Sequence, residues 1–380
     1  MDRRSFFTSS GAGAVALAAG AAALVDGSSV SPAQAQPAGR AGGLPPLKVL
    51  VGHEARADEK TFTWLARYGV EAVGCMPQSA DPTRLYPTVD ELHAMRDLAE
   101  KHGLKVTITS SVLLNSTNVD REAHPAIMLA QSPERDRDIE AFQTHIKNCA
   151  EAGIPTLKYN MSILGVLRSD TIPGRGDATY GGWNRQQALA KGEPPPTKAG
   201  PVNADAFWER IDYFLSHVVP VANQYKVNIA CHPQDPGTTG TWQGVDRVLG
   251  TVDGLKKFVS MHESPYHGLN FCQGTISEDL EDPNAQIGDV IRYFGSRKKV
   301  FNVHFRNIRG KRDNFHEVFW DEGSVDFVKA LKVWREVGYD KALMPDHPIR
   351  VPNDQNAGNE SFAYAFGYFR GLIQAEQHIV

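Results

Sequence analysis

The chain has 380 residues, of which 41% are hydrophobic and 22% are charged. This balance is typical of a chain with a large buried core, and it excludes a disordered chain, a collagen and a disulfide miniprotein. Lys and Arg total 40 against 44 Asp and Glu, a net charge of −4, so we expect no nucleic-acid partner.

The first 35 residues have the pattern of an export signal. Paired arginines precede an Ala- and Gly-rich run and a small-x-small cleavage site, which are Arg3-Arg4, Gly11–Val25 and Ala33-Gln34-Ala35. The arginine pair indicates the twin-arginine route. A membrane anchor is the alternative, but the apolar run of about 15 residues is shorter than the roughly 20 that a spanning helix needs. We therefore predict a signal at 1–35, a linker at 36–45, and a periplasmic or extracellular protein with no membrane contact once the signal is removed.

Beyond the linker, short β-branched apolar runs alternate with longer amphipathic runs. The predicted strands are Leu47–Val51, Val70–Cys75, Leu104–Ser110, Ile154–Tyr159, Val227–Cys231, Leu269–Cys272, Val300–Phe305 and Ala342–Pro345. The predicted helices are 58–68, 89–102, 134–152, 204–224, 244–262, 284–295, 324–337 and 360–376. This alternation predicts one α/β domain over 46–380, a (β/α)8 TIM barrel. A doubly wound open sheet is the alternative, but the first strand leads into Gly52-His53-Glu54 and not into a glycine-rich phosphate loop.

Local signals mark the ends of several predicted elements. Ser132-Pro133 and Asp282-Pro283 each place a capping residue before a proline at the start of a helix. The stretch 171–202, which contains Pro194-Pro195-Pro196, is polar and rich in proline and glycine. We predict that it is a long loop near the mouth of the barrel.

Four possible metal ligands lie at the ends of the last four predicted strands, where the chemistry of such barrels is located. They are His232, Cys272, His304 and Asp346, separated by 40, 32 and 42 residues. Each separation is close to one βα unit of roughly 30 residues or more, and neighbouring strands lie about 4.8 Å apart, so the four side chains can converge. Two imidazoles, a thiolate and a carboxylate suit a divalent transition metal. Taken singly, each residue has a packing or capping alternative.

The strings around these residues resemble the mannonate dehydratase family. They are His232-Pro233-Gln234-Asp235-Pro236, Phe271-Cys272-Gln273-Gly274, Val303-His304-Phe305-Arg306-Asn307, Pro345-Asp346-His347, Arg135-Asp136-Arg137, Lys158-Tyr159-Asn160 and Arg168-Ser169-Asp170. The resemblance implies a xylose-isomerase-like barrel that binds Mn²⁺ or Fe²⁺ at the four predicted ligands. It implies a lyase that removes water from D-mannonate to give 2-keto-3-deoxy-D-gluconate in hexuronate (glucuronate) catabolism. It also implies an acid/base pair of His347 and Tyr364. Gln234, Gln273 and Pro348 differ from the family pattern.

The candidate residues suit the chemistry that the resemblance implies. Dehydration of a sugar acid removes a weakly acidic proton beside a carboxylate, so it needs a charge that stabilises the intermediate. His347 suits the acid/base role because imidazole titrates near neutral pH. Tyr364 offers a phenol for the second role.

Three further residues are candidates for substrate binding. Arg306 lies two residues beyond His304 and on the same strand face, so we expect it to pair with the substrate carboxylate. A salt bridge from Arg306 to Glu278 or Asp235 is the open alternative. Asn160 and Arg168 are secondary contacts to the small-molecule sugar acid, whereas His316 and Glu317 are expected on a solvated loop.

Other functions remain open at this stage. The same barrel and metal would serve an isomerase or epimerase, or a lyase acting on another exported sugar acid such as an oxidised glycoside. A uronate-binding barrel without a working acid/base pair is the non-enzymatic alternative. Zinc remains an alternative metal because affinity order alone favours it over Mn²⁺ and Fe²⁺. The large surface helices suggest a homodimer.

Overall fold

The computed structural model describes residues 46–79, 81–354 and 358–378. The predicted signal at 1–35 and linker at 36–45 lie outside the described residues. Within them the strands are β1 (Leu50–Arg56), β2 (Ala72–Met76), β3 (Lys105–Ser110), β4 (Thr156–Asn160), β5 (Asp170–Pro173), β6 (Thr179–Asn184), β7 (Asn228–His232), β8 (Thr241–Trp242), β9 (Val245–Asp246), β10 (His267–Cys272), β11 (Val300–His304), β12 (Ile308–Lys311), β13 (Asn314–Glu317) and β14 (Ala342–Met344). The helices are α1 (Glu59–Arg67), α2 (Val89–Lys101), α3 (Ala126–Leu129), α4 (Glu134–Glu151), α5 (Arg185–Lys191), α6 (Ala204–Tyr225), α7 (Val252–Ser260), α8 (Gln273–Ser277), α9 (Pro283–Ser296), α10 (Phe327–Glu336) and α11 (Asn359–His378).

Eight of the strands close into a parallel barrel in the order β1-β14-β11-β10-β7-β4-β3-β2. All eight predicted strands are present, so the predicted (β/α)8 fold is confirmed. The register sets Cys272 beside His304 and Asn160 beside His232. The side chains at the carboxyl ends of these neighbouring strands therefore lie at the same level along the barrel axis.

The first strand differs most from its prediction. It was expected at Leu47–Val51, but β1 runs from Leu50 to Arg56 and pairs with β2 as far as Arg56. Leu47 and Val49 are buried without belonging to a strand, which explains the misplaced start. Because β1 continues through Glu54, it carries this carboxylate to the mouth of the barrel.

The eight predicted helices correspond to α1, α2, α4, α6, α7, α9, α10 and α11. The N-terminus of α9 has the expected form, because the Asp282 side chain accepts a hydrogen bond from the Ala285 amide and Pro283 occupies the first turn. At α4, by contrast, Pro133 is the N-cap, and the Ser132 hydroxyl donates to the Asp136 carboxylate.

Two irregular regions were predicted wrongly. Helix α7 is shorter than the expected 244–262, because residues 241–246 form the β8–β9 hairpin. The expected loop at 171–202 contains β5, β6 and α5, and β6 pairs with β13 in a four-stranded antiparallel sheet ordered β12-β13-β6-β5. Its pairing partner lies about 130 residues away in the chain, so local periodicity carries no sign of this sheet.

The hydrophobic core lies between the barrel and its helices. Phe142 of α4, Tyr159 of β4 and Phe214 of α6 form one aromatic cluster, with ring centroids 5.1 to 5.4 Å apart. Full burial of a phenylalanine side chain stabilises the fold by about 1.5–3 kcal/mol. This cluster therefore stabilises the packing of α4 and α6 against β4. Among the described helices, none has the length and apolarity needed to cross a bilayer.

Candidate metal centre and active site

The four predicted metal ligands converge at the carboxyl end of the barrel. His232, Cys272 and His304 are the last residues of β7, β10 and β11, and Asp346 follows β14 by two residues. One donor atom from each lies within 4.8 Å of the others. The strand-end pattern therefore brings together the set that the sequence predicted.

The two imidazoles leave nitrogen atoms available for an ion. Nδ1 of His232 lies 2.6 Å from the Pro233 carbonyl oxygen, a contact that leaves Nε2 free. Nε2 of His304 lies 3.0 Å from a carboxylate oxygen of Glu54. Nδ1 of His304 is buried without a hydrogen-bond partner and lies 3.2 Å from Oδ2 of Asp346. An orphaned buried nitrogen facing a carboxylate is the arrangement expected where both bind the same cation.

The Cys272 thiol has the surroundings of a thiolate. Its sulfur accepts hydrogen bonds from the Thr275 amide at 3.5 Å and the Thr275 hydroxyl at 3.2 Å. Burial raises the pKa of this thiol, but Arg306, His232 and His304 outweigh burial and lower the pKa to about 5. The sulfur is therefore charged at neutral pH.

The spacing of the donors fits a first-row transition metal. Metal–nitrogen and metal–sulfur bonds of about 2.0–2.3 Å place tetrahedral ligand atoms roughly 3–4 Å apart. Oδ2 of Asp346 lies 3.2 Å from Nδ1 of His304 and 3.7 Å from the Cys272 sulfur. The donor atoms and these two separations therefore fit such an ion.

A second cluster lies behind the first and is centred on Arg306. Its guanidinium is 2% exposed and pairs with Asp235 at 2.9 Å, Glu317 at 3.0 Å and Glu278. Arg306 was expected to contact the substrate carboxylate, and this expectation is corrected. The alternative salt bridges to Glu278 and Asp235 are present, so the guanidinium is already paired with carboxylates of the protein. Gly274 permits this packing, since a Cβ there would lie 2.6 Å from Nε of Arg306.

The buried carboxylates of this cluster have displaced pKa values. Burial raises the pKa of Glu317, but Arg306, His347 and Arg168 outweigh burial and lower it to about 2. Burial raises the pKa of Glu278 to about 8 despite the neighbouring Arg306. Each of these acidic groups is therefore either protonated or paired with a cation.

His347 joins the two clusters. Its Nδ1 lies 2.8 Å from a carboxylate oxygen of Glu317, and its Nε2 lies 3.6 Å from Oδ2 of Asp346. Because a carboxylate only accepts, Nδ1 carries the proton. Burial lowers the pKa of His347, but Asp346 and Glu317 outweigh burial and the nearby Arg306, and the pKa rises to about 9.

Arg168 belongs to the same network. It forms ion pairs with Asp235 and Glu317 and lies 3.2 Å from Nδ1 of His347, and its side chain remains 21% exposed. The guanidinium therefore supports the partners of His347 from the solvent side.

A cavity of about 290 Å³ opens above the predicted ligands, and we call it the inner cavity. Its wall includes Glu54, Lys158, Asn160, His232 and His347. The predicted substrate contact Asn160 therefore lies in this wall.

Three charged residues of this region were not predicted from the sequence. Glu54 pairs with Lys158 in the inner cavity, and Glu317 of β13 is buried against Arg306 rather than solvated. A lysine within the apolar strand β4 was the available signal for Lys158, since lysine is rarely buried unless paired. The positions of Glu54 and Glu317 depended on strands whose extent or existence the sequence did not reveal.

Tyr364 lies apart from the described walls of the inner cavity. It is 39% exposed on α11, and its ring contacts Phe319 at 5.5 Å and Tyr368 at 6.3 Å between centroids. The Arg175 guanidinium lies 5.6 Å from the Tyr364 ring centroid. This placement does not support the expected pairing of Tyr364 with His347.

Two departures from the family strings have structural roles. The Gln234 amide donates to the Met161 carbonyl and accepts from the Leu249 amide, which ties two loops together. Gln273 is fully buried and accepts from the Trp334 indole at 3.3 Å. Their side-chain hydrogen bonds therefore join parts of the barrel framework.

Solved structures with the same architecture include enzymes of several kinds. The crystal structure of mannonate dehydratase from Streptococcus suis serotype 2 superimposes with a TM-score of 0.73 at 21% identity, over 86% of this chain and 94% of that one. A 3-keto-D-glucoside 4-epimerase from E. coli superimposes with a TM-score of 0.53 at 13% identity, over 85% of this chain and 100% of that one. At these identities the likeness establishes the fold alone.

Similarity in sequence identifies the family to which the chain belongs. Mannonate dehydratase 2 of Halalkalibacterium halodurans is 27% identical over 318 residues, which are 75% of this chain and 87% of that protein. Mannonate dehydratase of Thermotoga maritima is 27% identical over 295 residues, 68% of this chain and 77% of that protein. The family model for D-mannonate dehydratase (UxuA) matches residues 178–380, more than half of the chain. The chain therefore belongs to the D-mannonate dehydratase (UxuA) family of hydro-lyases.

Proposed function

We propose that the protein removes water from D-mannonate to give 2-keto-3-deoxy-D-gluconate, with the reacting carbons in the inner cavity. One observation carries the proposal: the four candidate ligands converge, and three of them (His232, His304 and Asp346) line the inner cavity together with His347. The reaction takes the proton from C2 and the hydroxyl from C3, and the resulting enol becomes the 2-keto group. Atoms balance with one water released.

His232, Cys272, His304 and Asp346 would hold the metal in this site. When bound, a divalent ion supplies Lewis-acid stabilisation of the charge that develops beside the substrate carboxylate, worth several kcal/mol. We propose Mn²⁺ or Fe²⁺ as that ion, on the mixed nitrogen, sulfur and oxygen donor set. Metal analysis of protein purified without chelators, followed by reconstitution with each ion, separates Mn²⁺ and Fe²⁺ from Zn²⁺.

His347 is the proposed acid. Glu317 accepts a hydrogen bond from Nδ1–H of His347, which fixes the ring and directs Nε2 toward the ligand Asp346. The pairing with Glu317 favours the protonated imidazole, which suits donation of a proton from Nε2 to the departing hydroxyl. Arg168 holds Glu317 in place through its own ion pair.

Lys158 and Asn160 are the proposed substrate-orienting groups. Both lie on strand β4 and line the inner cavity, and Asn160, the last residue of the strand, lies beside the ligand His232. The ammonium group of Lys158 offers donors that a carboxylate or hydroxyl accepts, and the Asn160 amide both donates and accepts. These groups hold the substrate in one orientation relative to His347.

A substrate panel tests the proposed reaction. Mn²⁺-loaded and Fe²⁺-loaded protein is incubated with D-mannonate, D-gluconate and D-glucuronate, and 2-keto-3-deoxy acids are measured together with the remaining substrates. We expect a 2-keto-3-deoxy product from D-mannonate. An isomerised or epimerised acid of unchanged mass would instead indicate the epimerase alternative, and binding without any product would indicate a uronate-binding protein.

We also propose that residues 1–35 direct export by the twin-arginine route, on the basis of Arg3, Arg4 and the small-x-small site at Ala33-Gln34-Ala35. Cell fractionation tests this. The full chain should reach the periplasm, whereas a chain carrying Arg3→Lys and Arg4→Lys should remain inside the cell. Equal export of both chains would overturn this proposal without affecting the proposed reaction.

A further inference from the structure

A second, larger cavity adjoins the inner cavity on the far side of His347. It has a volume of about 710 Å³, and we call it the outer cavity. Val166 and His347 line both cavities, so the two spaces meet at the proposed acid. The inner cavity, at about 290 Å³, is at the small end of the ~300–1,000 Å³ range of ligand pockets. A substrate that lies in the inner cavity beside His347 is therefore next to the outer cavity, which is the larger of the two.

Two described segments of the chain contribute to the walls of the outer cavity. One wall is the β5–β6 hairpin, which contributes Thr171, Thr179 and Gly181. The other wall is the segment that follows β14, which contributes Ile349 and Arg350. A backbone hydrogen bond of 2.8 Å from the Thr179 amide to the Arg350 carbonyl joins the walls. The hairpin is also fixed from behind, because β6 pairs with β13.

The lining of the outer cavity has the mixed character that a sugar requires. Val166 is 43% exposed and offers an apolar surface, while the two threonines offer hydroxyl groups. Arg350 is exposed and lines the cavity. A Cβ added at Gly181 would have no neighbour within 4 Å, so this position faces open space.

We propose that the outer cavity binds a glycosyl group attached to a distal hydroxyl of the hexonic acid, so that the enzyme acts on disaccharide aldonic acids. This inference rests on the proposed function and extends its substrate class. The acid end of the substrate occupies the inner cavity, and the second sugar extends past His347 between the hairpin and the segment after β14. The apolar surface of Val166 packs against the sugar ring, and Arg350 donates hydrogen bonds to its hydroxyl groups.

The chemistry is compatible with such a substrate. Water is lost between C2 and C3, so a glycosidic bond at C4 or beyond neither forms nor breaks. The products are one water and a 2-keto-3-deoxy acid that retains the second sugar. Binding energy from this remote sugar serves to orient the reacting carbons, which raises kcat/KM.

The test compares D-mannonate with mannobionic acid, the acid obtained by oxidising the reducing end of β-1,4-linked mannobiose. The full-length metal-loaded enzyme should show at least about a 5-fold higher kcat/KM for mannobionic acid. Gly181→Trp places an indole in the outer cavity, and it should lower kcat/KM for mannobionic acid at least about 10-fold while D-mannonate turnover changes less than about 2-fold. Gly367→Trp is the matched control, because Gly367 also has open space around a Cβ and lies on α11 away from both cavities.

Arg350→Ala provides a second variant that adds no bulk to the cavity. It should lower kcat/KM for mannobionic acid about 3- to 10-fold and leave D-mannonate turnover unchanged. Turnover of D-mannonate without turnover of mannobionic acid would overturn this inference and leave the proposed function standing. Equal losses on both substrates in the two variants would also overturn it, since the outer cavity would then not distinguish the second sugar. Failure of both substrates would instead overturn the proposed function.

Discussion

Two groups of potential metal ligands lie side by side at the mouth of the barrel, and they differ in how their charge is balanced. In one group, His232, Cys272, His304 and Asp346 converge with an unpartnered nitrogen on His304. In the other, Asp235, Glu317 and His347 are equally close together. The positive charge of the second group is already supplied by two arginines. Proximity alone therefore does not define a metal site, since the positive charges already present decide whether an ion is needed.

The largest expected effect comes from removing the cation of the second group. Arg306→Met leaves Asp235, Glu278 and Glu317 facing one another in a buried site. We expect the free energy of unfolding to fall by about 3–5 kcal/mol, measured by urea denaturation. Arg292→Met is the control, because its pair with Glu336 is on the surface and is worth at most about 1 kcal/mol. Similar losses for the two variants would contradict the charge balance described for this group.

Removal of a donor from the first group should lower the metal affinity of the protein. Cys272→Ala removes one of its four donors, and we expect metal affinity to fall at least about 100-fold, since loss of a supporting partner alone costs 10- to 100-fold. Metal analysis after dialysis measures the effect. Cys75→Ala is the matched control, because Cys75 is a buried thiol on β2 outside the ligand set, and this variant should retain its metal. Retention of a full equivalent by the Cys272 variant would contradict the assigned site.

His347, the histidine of the second group, should affect chemistry alone. His347→Asn removes the proposed acid, and asparagine tolerates the positive φ of 53° at this position. We expect kcat for D-mannonate to fall about 100-fold or more while the metal content stays unchanged. Tyr364→Phe should change kcat less than about 2-fold, because Tyr364 is exposed on α11. The reverse pattern would return the acid/base role to Tyr364.

A smaller effect is expected from the carboxylate that supports a proposed ligand. Glu54 lies 3.0 Å from Nε2 of His304, and Glu54→Gln keeps the shape while removing the charge. We expect metal affinity to fall about 10- to 30-fold, measured by competition with a chelator. Glu59→Gln, on the surface of α1, is the control and should have no effect. Unchanged affinity in the Glu54 variant would show that His304 is oriented without this carboxylate.

The smallest expected effect concerns pH and lies outside both groups. Burial raises the pKa of Asp279 to about 6, above its ordinary value of 3.8. The stability that the protonated group contributes is present below about pH 4 and is lost as the pH rises through 6. Between pH 5 and 7, Asp279→Asn should therefore lose about 1 kcal/mol less unfolding free energy than the parent chain does. Surface Asp289→Asn should follow the parent, and identical pH profiles for all three proteins would contradict the prediction.

The contrast between the two groups also explains which site residues could be predicted from the sequence. Each ligand of the first group is the last residue of an apolar strand or lies two residues beyond it, so a local pattern of about one ligand per βα unit was sufficient to find it. The partners of Arg306 lie in the loop after β7, beyond α8 and in β13, so their convergence depends on tertiary structure. Salt bridges of Arg306 were an open alternative, but Glu317 was expected in solvent. Its position depends on the pairing of β13 with β6 across about 130 residues, which no local pattern shows.

Anomalous diffraction from a crystal grown with Mn²⁺ tests the central claim most directly. We predict one strong manganese peak within about 2.0–2.5 Å of donor atoms from His232, Cys272, His304 and Asp346. The same map should show no peak among Asp235, Glu317 and His347, where the arginines supply the charge. A peak in this second group with the first group empty would contradict the account.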